Sequence, residues 1–83
     1  MEDKETYVCL TSKDCLYVVY SHIIKESGGF TEKWFSNSSG RFWIDFTPVN
    51  CDINEYLSKE INLRPTPISK EDYCRAMLMY VKQ

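Results

Sequence analysis

Large apolar side chains concentrate most clearly between residues 29 and 47, on both faces of any strand formed there. Phe30, Trp34, Phe35, Phe42, Trp43 and Phe46 fall in this stretch, six of the chain's twelve aromatic residues. Ser36-Asn37-Ser38-Ser39-Gly40 separates them with turn formers and no apolar side chain. Two aromatic runs joined by such a loop predict an antiparallel β-hairpin spanning 30–47, ended by Pro48. Parity puts Phe42, Ile44 and Phe46 on one face of the second strand and Arg41, Trp43, Asp45 and Thr47 on the other. A three-residue loop, Ser38-Ser39-Gly40, with its glycine in left-handed geometry, pairs Trp34 with Ile44, Phe35 with Trp43 and Lys33 with Asp45. A slip by one residue would set Glu32 against Asp45, a like-charge pair, so the first register is preferred. Glu32 then points to the apolar face, either at the sheet margin or as a buried acid, and the margin is the simpler reading.

The remaining pattern divides into shorter pieces. Tyr7-Val8-Cys9-Leu10 reads as a short strand after a charged start at residues 1–5, where flexibility is expected. Residues 13–27 carry two competing patterns. Leu16, Val19, Tyr20, Ile23 and Ile24 fall at helical spacing between Ser12, a candidate N-cap, and Ser27-Gly28-Gly29, a typical helix stop. Yet Tyr17, Val18, Val19, Tyr20, Ile23 and Ile24 are strand formers. The caps favour a helix, and the alternative is a second hairpin that makes a four-stranded meander. Asp52-Ile53-Asn54-Glu55 has capping-box form and predicts a helix over 53–61. Leu63-Arg64-Pro65-Thr66-Pro67 reads as a stiff extended connector. Ser69 caps a last helix over 70–82, with Glu71 and Asp72 in its first turn and a stripe of Tyr73, Ala76, Met77, Tyr80 and Val81. Cys74 and Leu78 widen that stripe.

These elements make one α+β domain over residues 1–83, a small antiparallel sheet with packed helices at 13–27, 53–61 and 70–82. The expected core joins Phe42, Ile44 and Phe46 to Leu57, Met77 and Tyr80. At 83 residues, 43% apolar and 14% aromatic, the chain has enough large side chains to offset the thin core of a small domain.

Charge and cysteine usage narrow the function classes. A net charge of −2 gives no bulk attraction to nucleic acid or anionic membrane. No apolar run approaches the roughly 20 residues of a membrane span, and the charged start lacks signal-peptide form, so a cytoplasmic location is expected. Cys9, Cys15, Cys51 and Cys74 have no C-x-x-C spacing. They are expected to be free thiols packed as small hydrophobes, with no zinc site.

Catalytic and cofactor chemistry finds no support. His22, the single histidine, falls on the outer side of the expected helix beside Val18 and Lys25. It has no local spacing to Cys15 or Cys51 that would mark a nucleophile pair or metal site. Asp45, Asp52, Glu55, Glu60, Glu71 and Asp72 have mainly structural uses as cross-strand, capping and first-turn charges. The three glycines form no phosphate-binding loop. No catalytic residue, cofactor or metal is therefore expected.

One constellation remains, the mixed hairpin face formed by Lys33, Phe35, Arg41, Trp43 and Asp45. Aromatic residues and arginine are enriched at the centres of protein interfaces. This face is the expected partner-binding site of a small non-catalytic protein, an inhibitor, immunity protein or adaptor. The partner is another protein, and a second copy of the chain is among those the face allows. The alternative is single-stranded nucleic acid stacked on Phe35 and Trp43 beside Lys33 and Arg41.

Overall fold

A computed structural model describes residues 4–59 and 62–82. The chain runs β1 (Glu5–Ser12), β2 (Val18–Glu26), β3 (Gly29–Ser36), β4 (Trp43–Thr47), α1 (Ile53–Leu57), β5 (Leu63–Pro67) and α2 (Lys70–Tyr80). Its five strands form one antiparallel sheet in the order β4-β3-β2-β1-β5. The fold is thus α+β, built on the meander and its added strand. Of the charged start, residues 1–3 lie outside the described residues and Glu5 already belongs to β1.

The helix expected over 13–27 is absent, and residues 18–26 are the central strand β2. Two properties account for the misreading. Both faces of β2 are covered, so Val19, Ser21 and Ile23 on one side and Tyr20, His22 and Ile24 on the other give a nearly continuous apolar run. Such a run hides the period of two. The Ser27-Gly28 pair is not a helix stop but a two-residue hairpin connection into β3, with Gly28 at φ +82°. Ser12 caps no helix either; its hydroxyl donates to Asp14 Oδ1 at 2.6 Å in the β1–β2 turn. The same carboxylate accepts from the Leu16 amide at 3.1 Å, and these bonds lower the Asp14 pKa. Cys15, at φ +63°, takes the left-handed position of that turn.

The C-terminal half follows the sequence more closely. Asp52 accepts from the Glu55 amide at 2.8 Å and Ser69 from the Asp72 amide at 3.1 Å, so both expected N-caps form. The first helix is shorter than expected, Ile53–Leu57, and the second ends at Tyr80. Glu60 and Ile61, at the end of the expected first helix, lie outside the described residues. The connector at Leu63–Pro67 is a true edge strand, pairing with β1 through Leu10↔Pro65 and Val8↔Pro67.

The core is two cores, one on each face of the sheet. Between the sheet and α2, Phe35 is buried with Val81 and with Tyr73 and Ala76 of the helix, and Tyr7, Tyr20, Ile68, Met77 and Tyr80 surround them. Val8, Ile23 and Phe30 are buried on the opposite face beneath Val49, Cys51, Ile53, Tyr56 and Leu57. Leu57 therefore sits apart from Met77 and Tyr80. The expected core triplet lies in neither: Phe42, Ile44 and Phe46 are 45%, 60% and 51% exposed.

Side chains assigned other surroundings by the sequence also change place. His22 is half-buried between the sheet and α2, stacked on Tyr7 at 4.3 Å, with Nε2 2.7 Å from Glu5 Oε1. All four cysteines are free thiols, but Cys15 and Cys74 are exposed rather than packed. Leu78 is exposed on the outer side of α2.

Candidate functional site

The β3–β4 hairpin forms in the register that charge reasoning disfavours. Its pairs are Phe30↔Thr47, Thr31↔Phe46, Glu32↔Asp45, Lys33↔Ile44 and Trp34↔Trp43. Three contacts make the Glu32–Asp45 apposition tolerable. Glu32 accepts from the Ser21 hydroxyl and, at 3.0 Å, from the Tyr56 hydroxyl. Asp45 accepts from Trp34 Nε1 at 2.7 Å. Each carboxylate thus has its own donor, and the register gains a cross-strand tryptophan pair with ring centroids 6.0 Å apart. The connection also runs over residues 37–42 instead of three residues, with Gly40 at φ +76°.

A backbone approach fixes the far end of β4. A Cβ placed on Gly29 would sit 2.2 Å from the Thr47 carbonyl oxygen and 2.8 Å from Phe46 Cζ. Only glycine leaves room for β4 to close on β3 here. The Phe46 ring lies diagonally over the vacant position, one strand away.

Beyond this approach β4 is bare. The helix α2 packs against β1, β2 and β3, and the Tyr73 hydroxyl donates to the Lys33 carbonyl at 2.8 Å. Burial pushes the Tyr73 pKa up to about 12. On this face Ile44 and Phe46 project beyond the helix. On the other face Trp43 is 38% exposed and carries the Arg41 guanidinium 4.0 Å from its ring centroid. Among the described residues β4 has one hydrogen-bonded neighbour, β3, and its outer side is unpaired.

The five residues singled out by the sequence are therefore divided. Arg41, Trp43 and Asp45 lie together on the edge, on the face that also holds Trp34 and Glu32. Lys33 lies on the opposite face, half-buried. Phe35 is fully buried at 0% exposure, stacked on Tyr20 at 5.2 Å and tilted against Tyr73 at 5.3 Å. It does not pair with Trp43 and offers no surface. Sequence reasoning missed the contribution of Phe42, Ile44 and Phe46 to the exposed edge. The signal that identifies them is a short strand reached through a polar loop and followed by Pro48, properties of a sheet margin.

Among the described residues no three His, Cys, Asp or Glu side chains gather in a way that would hold a metal ion. No described helix is long and apolar enough to cross a membrane. Comparison with protein-family models, curated proteins and solved structures gives no match for this chain.

Proposed function

We propose that this chain is a small non-catalytic domain that acts by binding another protein along β4. The observation that carries this reading is the exposure of Phe42, Trp43, Ile44 and Phe46 around an edge strand with an open outer side. An edge of this kind presents both unpaired backbone groups and apolar side chains, which together suit the addition of a partner strand. Inhibitors, immunity proteins and adaptors act through such surfaces without a chemical step of their own. Of the residues first singled out, Arg41, Trp43 and Asp45 stay in the proposed contact. Phe35 leaves it, and Lys33 becomes peripheral.

Affinity capture from the native host tests the proposal, comparing tagged wild-type chain with Ile44→Lys at matched melting temperature. A protein retained by the wild type and lost with the variant is the expected result. Equal retention by both chains would remove β4 as the contact. Retention of nucleic acid with a steep salt dependence would favour the stacking alternative instead.

A further inference from the structure

The sequence Phe42-Trp43-Ile44-Asp45-Phe46-Thr47 contains no proline or glycine, so every position along the open edge keeps its amide donor. We propose that a second copy of this chain occupies the edge. In this assembly β4 pairs antiparallel with its mate about a twofold axis at Ile44, and two five-stranded sheets become one continuous sheet. The inference rests on the reading of β4 as a protein-binding edge and names the partner.

Symmetry and charge select the register. A twofold axis normal to the sheet keeps each side chain on its own face, so an axis passes through a residue position and not between two. An axis at Asp45 would set the two Asp45 carboxylates directly opposite each other, with a like-charge penalty. An axis at Trp43 would run Phe46 of the second copy against Gly40. That position is taken, because Gly40 bridges Val81 and its carbonyl accepts from the Lys82 amide at 2.8 Å. An axis at Ile44 meets neither obstacle. It pairs Ile44 with Ile44 and places Phe42 opposite Phe46 twice, covering the three half-exposed side chains of one face with one another. On the other face Trp43 stands opposite Asp45, and Arg41 lies diagonally across from Asp45 of the second copy, within reach of a long side chain. The edge is thus complementary to itself in both shape class and charge.

Sedimentation velocity over a concentration series, on the full chain under reducing conditions, is the first measurement. A monomer–dimer equilibrium in the micromolar range is expected, and Ile44→Lys weakens it by about 30-fold or more, as loss of a central contact does. Cross-linking then tests the register in a chain with Cys15→Ser and Cys74→Ser. On mild oxidation Ile44→Cys forms a disulfide-linked dimer, because on-axis residues face each other within disulfide reach. Thr47→Cys does not, because its symmetry mate lies on the order of 20 Å away along the strand. The disulfide-linked dimer of the Ile44→Cys variant stands as evidence even if Ile44→Lys fails to fold. A wild-type chain that stays monomeric throughout, or Thr47→Cys linking as fast as Ile44→Cys, overturns the proposal. If the chain is monomeric yet Ile44→Lys abolishes capture of another protein, the second copy falls and the edge reading stands. If Ile44→Lys changes neither association nor capture, both fall.

Discussion

Along β5, Pro65 and Pro67 occupy alternate positions of an edge strand, whereas β4, at the opposite margin, carries no proline and four exposed apolar or aromatic side chains in and beside it. Proline is tolerated at an edge when its nitrogen faces solvent, and there it deletes the donor that another strand would need. Residues 65 and 67 point their nitrogens the same way, so two successive outward donors are missing from β5. Its remaining exposed side chains include Arg64 and Thr66. β4 has a single charge, Asp45, and that carboxylate is occupied by Trp34. One margin of the sheet is closed to strand addition and the other is left open. In a domain this small, an open apolar margin has a cost in solubility, which the binding role proposed for β4 would offset.

If β4 were core after all, the difference between the two margins would vanish. Phe35→Ala should cost about 3–5 kcal/mol, since it empties a fully buried site beneath α2. For a small domain that is a large share of a total on the order of 5–15 kcal/mol, and the variant should be largely unfolded when warmed. Ile44→Lys should shift stability by only about 0.5 kcal/mol when measured at concentrations where the chain is monomeric. Denaturant unfolding of the two variants checks both values. A loss of several kcal/mol from Ile44→Lys at high dilution would show that the β4 edge is covered.

How much of this is visible in the amino-acid order can be judged residue by residue. The caps at Asp52 and Ser69 are legible because capping is local chemistry, a side-chain oxygen meeting an amide three residues on. The stripe of α2 is legible for the same reason, as is the left-handed glycine at 40. Strand β2 is not, because a strand covered on both faces loses its alternation and its hairpin glycine mimics a helix stop. The face assignment of the hairpin fails through a single residue of register. Charge repulsion between Glu32 and Asp45 is visible in the sequence. Of the donors that relieve it, Trp34 lies in the hairpin itself, but Ser21 and Tyr56 come from β2 and α1, elements whose positions are set only by the tertiary fold. One slipped residue exchanges the faces of β4, so Phe46 moves from expected core to edge. Phe35 keeps its face, but that face lies beneath α2.

The reach of α2 sharpens the contrast between covered and bare strands, and pH probes it. Tyr73 anchors the helix to the Lys33 carbonyl, and burial raises its pKa from 10 to about 12. A raised pKa means that the folded state holds the neutral phenol while the unfolded chain ionises. The corresponding stability is therefore complete below pH 10 and falls as pH rises toward 12. The slope for one such group is at most about 1.4 kcal/mol per pH unit, so a loss of roughly 1–2 kcal/mol is expected over this window once solvent screening is allowed for. Tyr7 and Tyr20 are raised in the same direction by burial and add to it. Urea melts from pH 9 to 12 should show the decline, and Tyr73→Phe should flatten it. An unchanged slope in that variant would mean that Tyr73 is not the group being titrated.

Gly29 tests what holds the bare strand in place. With α2 packed on β1 to β3, and α1 touching β4 through the Tyr56 hydroxyl 3.5 Å from Thr47 Oγ1, the far end of β4 relies mainly on the backbone approach of Thr47 to Gly29. A methyl group at 29 meets a carbonyl oxygen that cannot rotate away, so Gly29→Ala should cost about 1–3 kcal/mol as an overpacking change. Hydrogen exchange should show the loss concentrated in β4, with β1 and β2 nearly unaffected. Uniform loss across the sheet would mean that Gly29 serves β2–β3 pairing and not the attachment of β4.

The prolines of β5 have a small effect on stability, and they address the edge chemistry directly. Pro65→Val with Pro67→Val restores two outward amide donors and adds two β-branched side chains without touching β4. Loss of the prolines frees the unfolded chain by roughly 0.4–1 kcal/mol per site, partly offset by better strand propensity, so the net change in stability should stay near 1 kcal/mol. Association should change more than stability does. In an Ile44→Lys background, where the β4 edge is blocked, the double variant should regain self-association through β5, visible as light scattering or a faster-sedimenting species. If it stays monomeric, missing donors are not what closes that margin. The difference between the two edges would then lie in the side chains of Phe42, Ile44 and Phe46, and strand addition at β4 would depend on apolar contact more than on open backbone groups.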